Sequence, residues 1–351
     1  MAPSRAAAAR HRGRFFGAFT ASGLALGWLW LGVALAWSLL VVIVQLASDA
    51  VLGPASLPFT PAIFAWAILA NGSLLGMLVA GQAALRRGVE ADLRELGPNL
   101  PSRLGGAGHL ENDIADLPRA THINAILLGM CGGFAMATLD PVLRGLHDDL
   151  SAVDPRYLLF VVQNLLFGAL GFRLFATEIH MTRAYARLGE QVDIDLFDRS
   201  PALVFGRKGL RSVVVWVLIS TAISMFWVLD SAAQANVLFP VSVLGVTIAA
   251  LVGPTVGVRR NIARAKAREL EVVTGAIRRE RDAILRPGDA HDSSREGRLA
   301  DLIQYEGFVR SIREWPFDLT IVSRSLLFIV LGCGSWLGGA VVERLLGLLL
   351  D

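Results

Sequence analysis

The sequence predicts an all-α membrane protein: a polytopic bundle of about seven transmembrane helices that carries a cytoplasmic antiparallel helical hairpin. Three observations predict this class. The chain is 54% hydrophobic and only 18% charged, with a mean hydropathy of +0.54, whereas an average soluble domain has about 25% charged residues. It contains long apolar runs, and its arginines cluster in the gaps between those runs. We therefore expect the chain to reside in a lipid bilayer.

The apolar runs predict the individual spans. A transmembrane helix needs about 20 mostly apolar residues to cross about 30 Å of hydrocarbon. Because lipid offers the backbone no hydrogen-bond partner, each crossing run must be helical. Seven runs qualify: residues 25–48, 61–84, 122–140, 157–179, 210–230, 236–257 and 320–342. The first run follows a basic segment and exceeds the roughly 7–15 apolar residues of a secretory signal, which predicts an uncleaved signal anchor.

The distribution of arginine predicts the orientation. Arginines are frequent in the N-terminal segment and in the gaps after the second, fourth and sixth runs, and are scarce in the other gaps. By the positive-inside rule, the N-terminus is cytoplasmic, and a seventh span leaves the C-terminus outside the bacterial inner membrane. The glycine-rich "GCGSWLGG" in the last run also allows a re-entrant segment, which would return the C-terminus to the cytoplasm.

These boundaries divide the chain into three parts. Residues 1–257 are predicted to form three membrane hairpins, residues 258–319 a cytoplasmic helical hairpin, and residues 320–351 the last span and the C-terminus. Within 258–319, apolar residues recur at helical spacing on both sides of "RPGDAHDSSREG", whose proline and glycines interrupt the helix. We expect the two helices to pack as an antiparallel coiled coil, and a solvated spacer is the alternative.

The segment "IREWPFD" marks the border between that hairpin and the last apolar run. Pro316 disfavours helical backbone at Trp315, so the cytoplasmic helix is expected to end near Glu314. Proline can open the next helix, and Asp318 suits the positive end of its dipole. Trp315 and Phe317 are typical of headgroup depth. The segment is therefore predicted to be an interfacial elbow, and the alternative is that Glu314 and Asp318 belong to a cytoplasmic vestibule.

Polar residues inside the apolar runs are the candidate functional site. Asn71 and Ser73 lie within the second run, and Gln163 and Asn164 lie within the fourth. Because a polar group in hydrocarbon is costly, such residues line a pathway or form hydrogen bonds between helices. We expect Gln163 and Asn164 to join Asn71 in a polar seam. Interhelical hydrogen bonding without a pathway is the simpler alternative.

Glycine pairs at GxxxG spacing recur in the apolar runs, for example Gly129 with Gly133. This spacing lets helix backbones approach closely in lipid. Packing within one bundle is the expected use, and contact between copies in a homo-oligomer is the alternative.

No pattern predicts catalysis or a cofactor. The six histidines are scattered without an HExxH arrangement, and the chain contains neither a P-loop nor a strand-borne GxGxxG. Both cysteines, Cys131 and Cys333, lie in apolar runs, so neither a disulfide framework nor a CxxC metal pair is predicted. We expect no enzymatic activity, no cofactor, no metal and no nucleic-acid partner.

Two segments, "VDIDLFDRSPALVFGRKGLRS" and the ending "GSWLGGAVVERLL", resemble segments of uncharacterised bacterial multi-pass membrane proteins. The resemblance covers the C-terminal half and implies no activity or site residue. Two functions fit the sequence. The first is a conduit for a small solute or ion, with the cytoplasmic hairpin as a gate or assembly element. The second is a non-conducting scaffold or sensory input whose residues 258–319 contact a soluble partner.

Overall fold

A computed structural model of the chain describes residues 25–53, 61–101, 107–143, 154–198, 200–227, 238–285 and 293–316, together with Ser323 and Leu327. Within these ranges the regular structure is helical and contains no strand, as predicted. The helices are α1 (Leu26–Leu52), α2 (Pro61–Leu96), α3 (Ala107–Ala115), α4 (Arg119–Leu143), α5 (Pro155–Gly189), α6 (Ser200–Trp227), α7 (Leu238–Val252), α8 (Val256–Ile284) and α9 (Ser293–Ser311). Short 3-10 turns occupy Gly97–Asn99 and Gly253–Thr255.

Four segments of the described chain are long and apolar enough to cross a bilayer: Leu26–Leu52, Ala65–Asn99, Leu110–Thr138 and Pro155–Gly189. They overlap the first four predicted spans, so the described chain has the helical structure and the apolar segments expected of a membrane protein. The predicted fifth and sixth spans fall largely on α6 and α7, which are not among these four. The predicted seventh span lies outside the described residues apart from Ser323 and Leu327. The count of seven therefore stays a prediction.

Among the described helices, α4 and α5 have the most extensive contact. Glycines remove the side chains between them, so the two backbones approach closely. A Cβ atom on Gly129 or Gly133 of α4 would overlap the backbone of α5 at Gly168 or Asn164. This GxxxG pair is thus used for contact within the chain. The helix α2 packs mainly on α1 and α6.

Three helices continue past the predicted ends of their spans. The helix α2 extends to Leu96 and α5 to Gly189, while α6 begins at Ser200. Together with α3 and the first turns of α8, these extensions enclose a set of buried apolar residues that we call the extension core. Its members include Leu93, Leu96, Ile114, Leu188, Val192, Val204, Phe205, Val258, Ile262 and Ile312. The sequence did not reveal this core, because surface arginines lower the average hydropathy of the same segments.

The helices α8 and α9 contact each other through polar pairs along their length. The Tyr305 hydroxyl donates to the Glu269 carboxylate at 3.0 Å, and Arg298 lies 3.6 Å from Glu280. Glu280 follows Glu269 on α8, whereas its partner Arg298 precedes Tyr305 on α9. The two helices therefore run antiparallel. The position of this pair relative to the membrane stays a prediction.

The end of α9 is set by a lysine on the facing helix. Lys266 Nζ donates to the backbone carbonyls of Arg310 at 2.8 Å and Ile312 at 2.9 Å. Ile312 is 4% exposed and turns into the extension core. The helix consequently ends at Ser311, three residues before the expected end near Glu314, because the helix end depends on α8 and not on the following proline alone.

Candidate functional site

The side chains of Asn71 on α2 and Gln163 on α5 meet between the helices. Gln163 Nε2 donates to Asn71 Oδ1 at 2.5 Å, and the indole of Trp37 on α1 donates to Gln163 Oε1 at 3.2 Å. Asn71 Nδ2 donates to the backbone carbonyl of Ala67 at 2.8 Å. The contact joins α1, α2 and α5, and Trp37 is a member that the sequence analysis missed.

The other two candidate residues do not join this contact through their side chains. Asn164 Nδ2 donates to the carbonyl of Phe160 in its own helix at 3.0 Å, and the backbone of Asn164 faces Gly133 of α4. The backbone carbonyl of Ser73 accepts a hydrogen bond from the Trp30 indole at 3.2 Å. Asn164 and Ser73 therefore belong to neighbouring helix contacts.

Two further hydrogen bonds join α2 to α5. Gln82 Nε2 donates to Thr177 Oγ1 at 3.5 Å, and the Tyr185 hydroxyl donates to Asp92 Oδ2 at 2.7 Å. The sequence separation between partners is almost the same in all three bonds, so the two helices run parallel, side by side. We call the three pairs Asn71–Gln163, Gln82–Thr177 and Asp92–Tyr185 the polar seam.

The polar seam alternates polar with apolar layers along α2, and its last pair lies in the helix extensions beyond the predicted ends of both spans. From Asn71 to Asp92 the helix rises about 31 Å. Adjacent pairs are separated by about 16 Å along α2. Between them, Leu78, Leu85 and Val89 share the same helix face by the 3.6-residue period and are buried. The seam is thus closed by apolar layers in this conformation.

Three charged residues lie beside the last pair of the seam, in which Asp92 is the fourth. Lys208 Nζ on α6 lies 2.6 Å from Glu178 Oε1 on α5 and also donates to Ser212 Oγ at 2.6 Å. The side chains of Lys208 and Glu178 are only 2% and 6% exposed. Arg211 Nη2 donates to Asp92 Oδ1 at 2.8 Å. We call Asp92, Glu178, Lys208 and Arg211 the ionic network, in which two cations balance two carboxylates.

A glycine makes room for this network. A Cβ atom on Gly88 of α2 would overlap the guanidinium of Arg211, so the absent side chain lets the arginine reach Asp92 one turn further along the same helix. Such a close approach is a common reason for glycine within a helix. The position of Arg211 therefore depends on Gly88.

Two buried atoms of the ionic network have no hydrogen-bond partner among the described residues: Glu178 Oε2 and Arg211 Nη1. An unpaired buried polar atom costs about 1–3 kcal/mol, so such an atom needs an explanation, of which an ordered water or ion is one. The network thus offers one acceptor and one donor at one end of the polar seam.

A second charged cluster joins the C-terminal end of α1 to the N-terminal end of α5. It lies at the end of α5 opposite to the ionic network. Arg156 lies 2.9 Å from Asp49 at the end of α1 and 2.7 Å from Asp154, which precedes α5. The Asp154 carboxylate also accepts from the Arg156 backbone N–H at 2.8 Å, as a helix N-cap does. These hydrogen bonds from Arg156 hold the pKa of Asp154 below its ordinary value of 3.8. We call Asp49, Asp154 and Arg156 the outer cluster.

The predicted elbow is described as far as Pro316. The Trp315 ring lies under the guanidinium of Arg259, 4.4 Å from the ring centroid, and Glu314 is half-buried. Pro316 is buried and lines a mostly apolar cavity of about 310 Å³. Phe317 and Asp318 lie outside the described residues, so their expected roles stay predictions.

The burial of Lys208 is indicated by the periodicity of the residues around it. Lys208 is preceded at helical spacing by Val204 and Phe205 and followed one and two turns later by Ser212 and Val215, all buried on α6. A lysine at that position lies on the apolar face of the helix. The sequence analysis did not predict the burial of Lys208.

Comparison with known proteins gives no match to a family model, to a curated protein or to a solved structure. Within the described ranges, no group of three or more histidine, cysteine, aspartate or glutamate side chains could hold a metal ion. The interpretation of the site therefore depends on its geometry.

Proposed function

We propose that the protein is an integral protein of the bacterial inner membrane that conducts a small ion or solute along the polar seam between α2 and α5. The observation that carries the proposal is the row of three polar pairs between α2 and α5, separated by buried apolar residues, which ends at the ionic network. Ionisable residues buried between membrane helices are costly and commonly mark ion or solute pathways. With a cytoplasmic N-terminus, the ionic network lies at the cytoplasmic end and the outer cluster at the opposite end.

Packing alone does not account for the ionic network. A buried ion pair is often no more stabilising than apolar side chains of similar volume, because both charges lose their hydration. Two neighbouring ion pairs, of which Asp92, Glu178 and Lys208 are buried and Arg211 is 25% exposed, are therefore poorly explained by stability alone. Their location at the end of an interhelical row of polar groups supports a role in conduction.

Conduction requires the seam to open. Leu78, Leu85 and Val89 separate the polar pairs, so α2 and α5 must move apart for a polar species to pass. The three hydrogen bonds between α2 and α5 would then exchange their partners for water. In this proposal α6, α7 and residues 320–342 complete a seven-span bundle, and the α8–α9 pair acts as a cytoplasmic gate or assembly element.

The experiment is flux through liposomes containing the full-length protein, with separate assays for protons, alkali cations and small neutral solutes. We expect flux of one species above that of protein-free liposomes, and its reduction in Gln163→Leu. Asn164→Leu is the matched control, because that side chain bonds only within α5. Absence of flux for every species would overturn the proposal.

A second function, a non-conducting scaffold, is favoured by one surface feature. The rings of Phe197, Tyr305 and Phe308 stack with centroids 5.5–6.5 Å apart, and Phe197 is 64% exposed. An exposed aromatic cluster beside α9 suits a soluble protein partner of residues 258–319. Site-specific photocrosslinking from position 197 in membranes tests this, with loss of a discrete adduct expected in Phe308→Ser.

A further inference from the structure

We propose that the conducted species is the proton and that Glu178 takes it up from the cytoplasmic side. This inference rests on the proposed conduit function and names the substrate of the same site. It is carried by the geometry of Glu178 and by the kind of groups that the polar seam presents.

The seam presents hydrogen-bonding groups and not the ligands of a metal cation. Its pairs consist of amides, a hydroxyl, a phenol and a carboxylate, separated by buried leucine and valine. A sodium or potassium ion needs several oxygens at each position to replace its hydration shell. A proton needs only one acceptor at a time, so it is the cation that these sparse groups suit.

The ionic network also disfavours a metal cation. Such an ion could reach the Glu178 carboxylate only by displacing the Lys208 ammonium, which is 2.6 Å from Oε1. Like charges this close repel strongly in a buried environment. A proton avoids the displacement, because it can bind the second carboxylate oxygen.

The two oxygens of Glu178 differ in their partners. Oε1 accepts hydrogen bonds from Lys208 at 2.6 Å and from Thr182 at 3.2 Å. Oε2 is buried and has no partner within the described part of the chain. Lys208 is also bound to Ser212, so it retains a partner when Glu178 changes its charge. The free oxygen of a nearly buried carboxylate is thus available as the proton acceptor.

Glu178 also lies between two pairs of the seam. It follows Thr177, which accepts from Gln82, and its partner Lys208 lies 6.0 Å from the centre of the Tyr185 ring. A proton on Glu178 is therefore close to both the second and the third pair.

The uptake step is a simple proton transfer. When the seam opens to water from the cytoplasmic side, a hydronium ion gives its proton to Oε2, so one O–H bond forms on Glu178 as one breaks in hydronium, and water is released. The Glu178–Lys208 pair changes from neutral to singly positive. The proton then leaves to water in the opened seam, which restores the carboxylate.

The test uses full-length protein in liposomes, with a valinomycin-imposed potassium potential and a pH-sensitive dye in the lumen for proton flux, and with uptake of radioactive sodium and rubidium measured in parallel in valinomycin-free liposomes. We expect proton flux without sodium or rubidium flux. Glu178→Gln is expected to reduce proton flux to that of protein-free liposomes. Glu190→Gln is the matched control, because it removes the same charge from an exposed pair with Arg260 just beyond the same helix.

A second variant separates function from folding. Glu178→Gln leaves Lys208 buried without its ion-pair partner, so the double variant Glu178→Gln with Lys208→Met, which removes both charges, is measured beside it. We expect the double variant to purify as a folded protein and to lack proton flux. In infrared difference spectra recorded on acidification, the carbonyl absorption of protonated carboxylic acids should contain a component in wild type and in Glu190→Gln that the double variant lacks.

Each outcome decides between the two proposals. Sodium or rubidium flux without proton flux keeps the conduit and overturns the proton inference. Proton flux at the wild-type rate in the folded double variant overturns the assignment of Glu178. Absence of flux for all species overturns the conduit function itself.

Discussion

Lys208 on α6 donates a 2.6 Å hydrogen bond to Glu178 on α5, and neither side chain is more than 6% exposed. Burial deprives both charges of hydration, so each depends on the other. The pair also links α5 to α6 beside the last hydrogen bond of the polar seam. It connects the stability of the extension core with the electrostatics of the proposed pathway.

The first prediction concerns this pair. Lys208→Met should lower the free energy of unfolding by about 3–5 kcal/mol, because it leaves the Glu178 carboxylate buried and unpaired. The adjacent Arg207→Met is the matched control. Arg207 pairs with Glu95 at the surface, with nearly half of each side chain exposed, so its loss should cost at most about 1 kcal/mol. Unfolding in mixed detergent micelles measures both, and equal effects would contradict the account.

A second prediction separates two neighbouring amides. Gln163→Leu should destabilise the bundle by about 1 kcal/mol, the scale of an interhelical hydrogen bond in a membrane protein, because Asn71 and Trp37 lose their partner. Asn164→Leu should have little effect, since among the described residues its amide bonds to the Phe160 carbonyl of its own helix. The same unfolding assay applies, and a larger loss from Asn164→Leu would show that α5 is rotated relative to this description.

The third prediction concerns the contact between α4 and α5. Gly168→Ala should weaken it strongly, because the added Cβ would overlap the backbone of Gly129. Gly171→Ala, almost one turn later, should be tolerated, since no described residue lies within 4 Å of its Cβ position. Thermal unfolding in detergent should show a lower midpoint for Gly168→Ala alone. Equal midpoints for the two variants would place α4 elsewhere.

A fourth prediction follows from the lowered pKa of Asp154. A carboxyl whose pKa is lowered by folding adds stability above its ordinary value of 3.8, and that stability is lost as the pH falls through the lowered value. Asp154→Asn keeps an N-cap residue but removes the charge beside Arg156. At neutral pH it should lower the free energy of unfolding by about 1 kcal/mol.

Its pH dependence is the sharper test. The difference in thermal midpoint between wild type and Asp154→Asn should shrink as the pH falls below 3.8, the ordinary value for this carboxyl. Asp193→Asn, at an exposed aspartate, is the control for general acid effects. A difference that stays constant down to low pH would mean that Arg156 does not lower the pKa of Asp154.

The helical membrane class was predictable from composition and from the length of the apolar runs, because both depend on residues averaged along the chain. Contacts between residues that are distant in the sequence could not be predicted in this way. Hydropathy marks Gln163 and Asn164 equally, yet only Gln163 faces α2, and nothing in the sequence of α1 indicates that Trp37 completes that contact. Periodicity around Lys208 would have indicated its burial, but its carboxylate partner becomes evident only when α5 and α6 are packed.

The most direct test of the central claim asks whether water reaches the face of α2 that carries the polar seam. In a background with Cys131→Ala and Cys333→Ala, single cysteines are introduced as Leu78→Cys on the seam and Leu69→Cys on the exposed apolar surface, and the rate of reaction with a membrane-impermeant, water-soluble thiol reagent is measured in liposomes. The account predicts that Leu78→Cys reacts while Leu69→Cys, facing lipid, does not. A seam cysteine as unreactive as the lipid-facing one, in a protein that folds normally, would contradict the account.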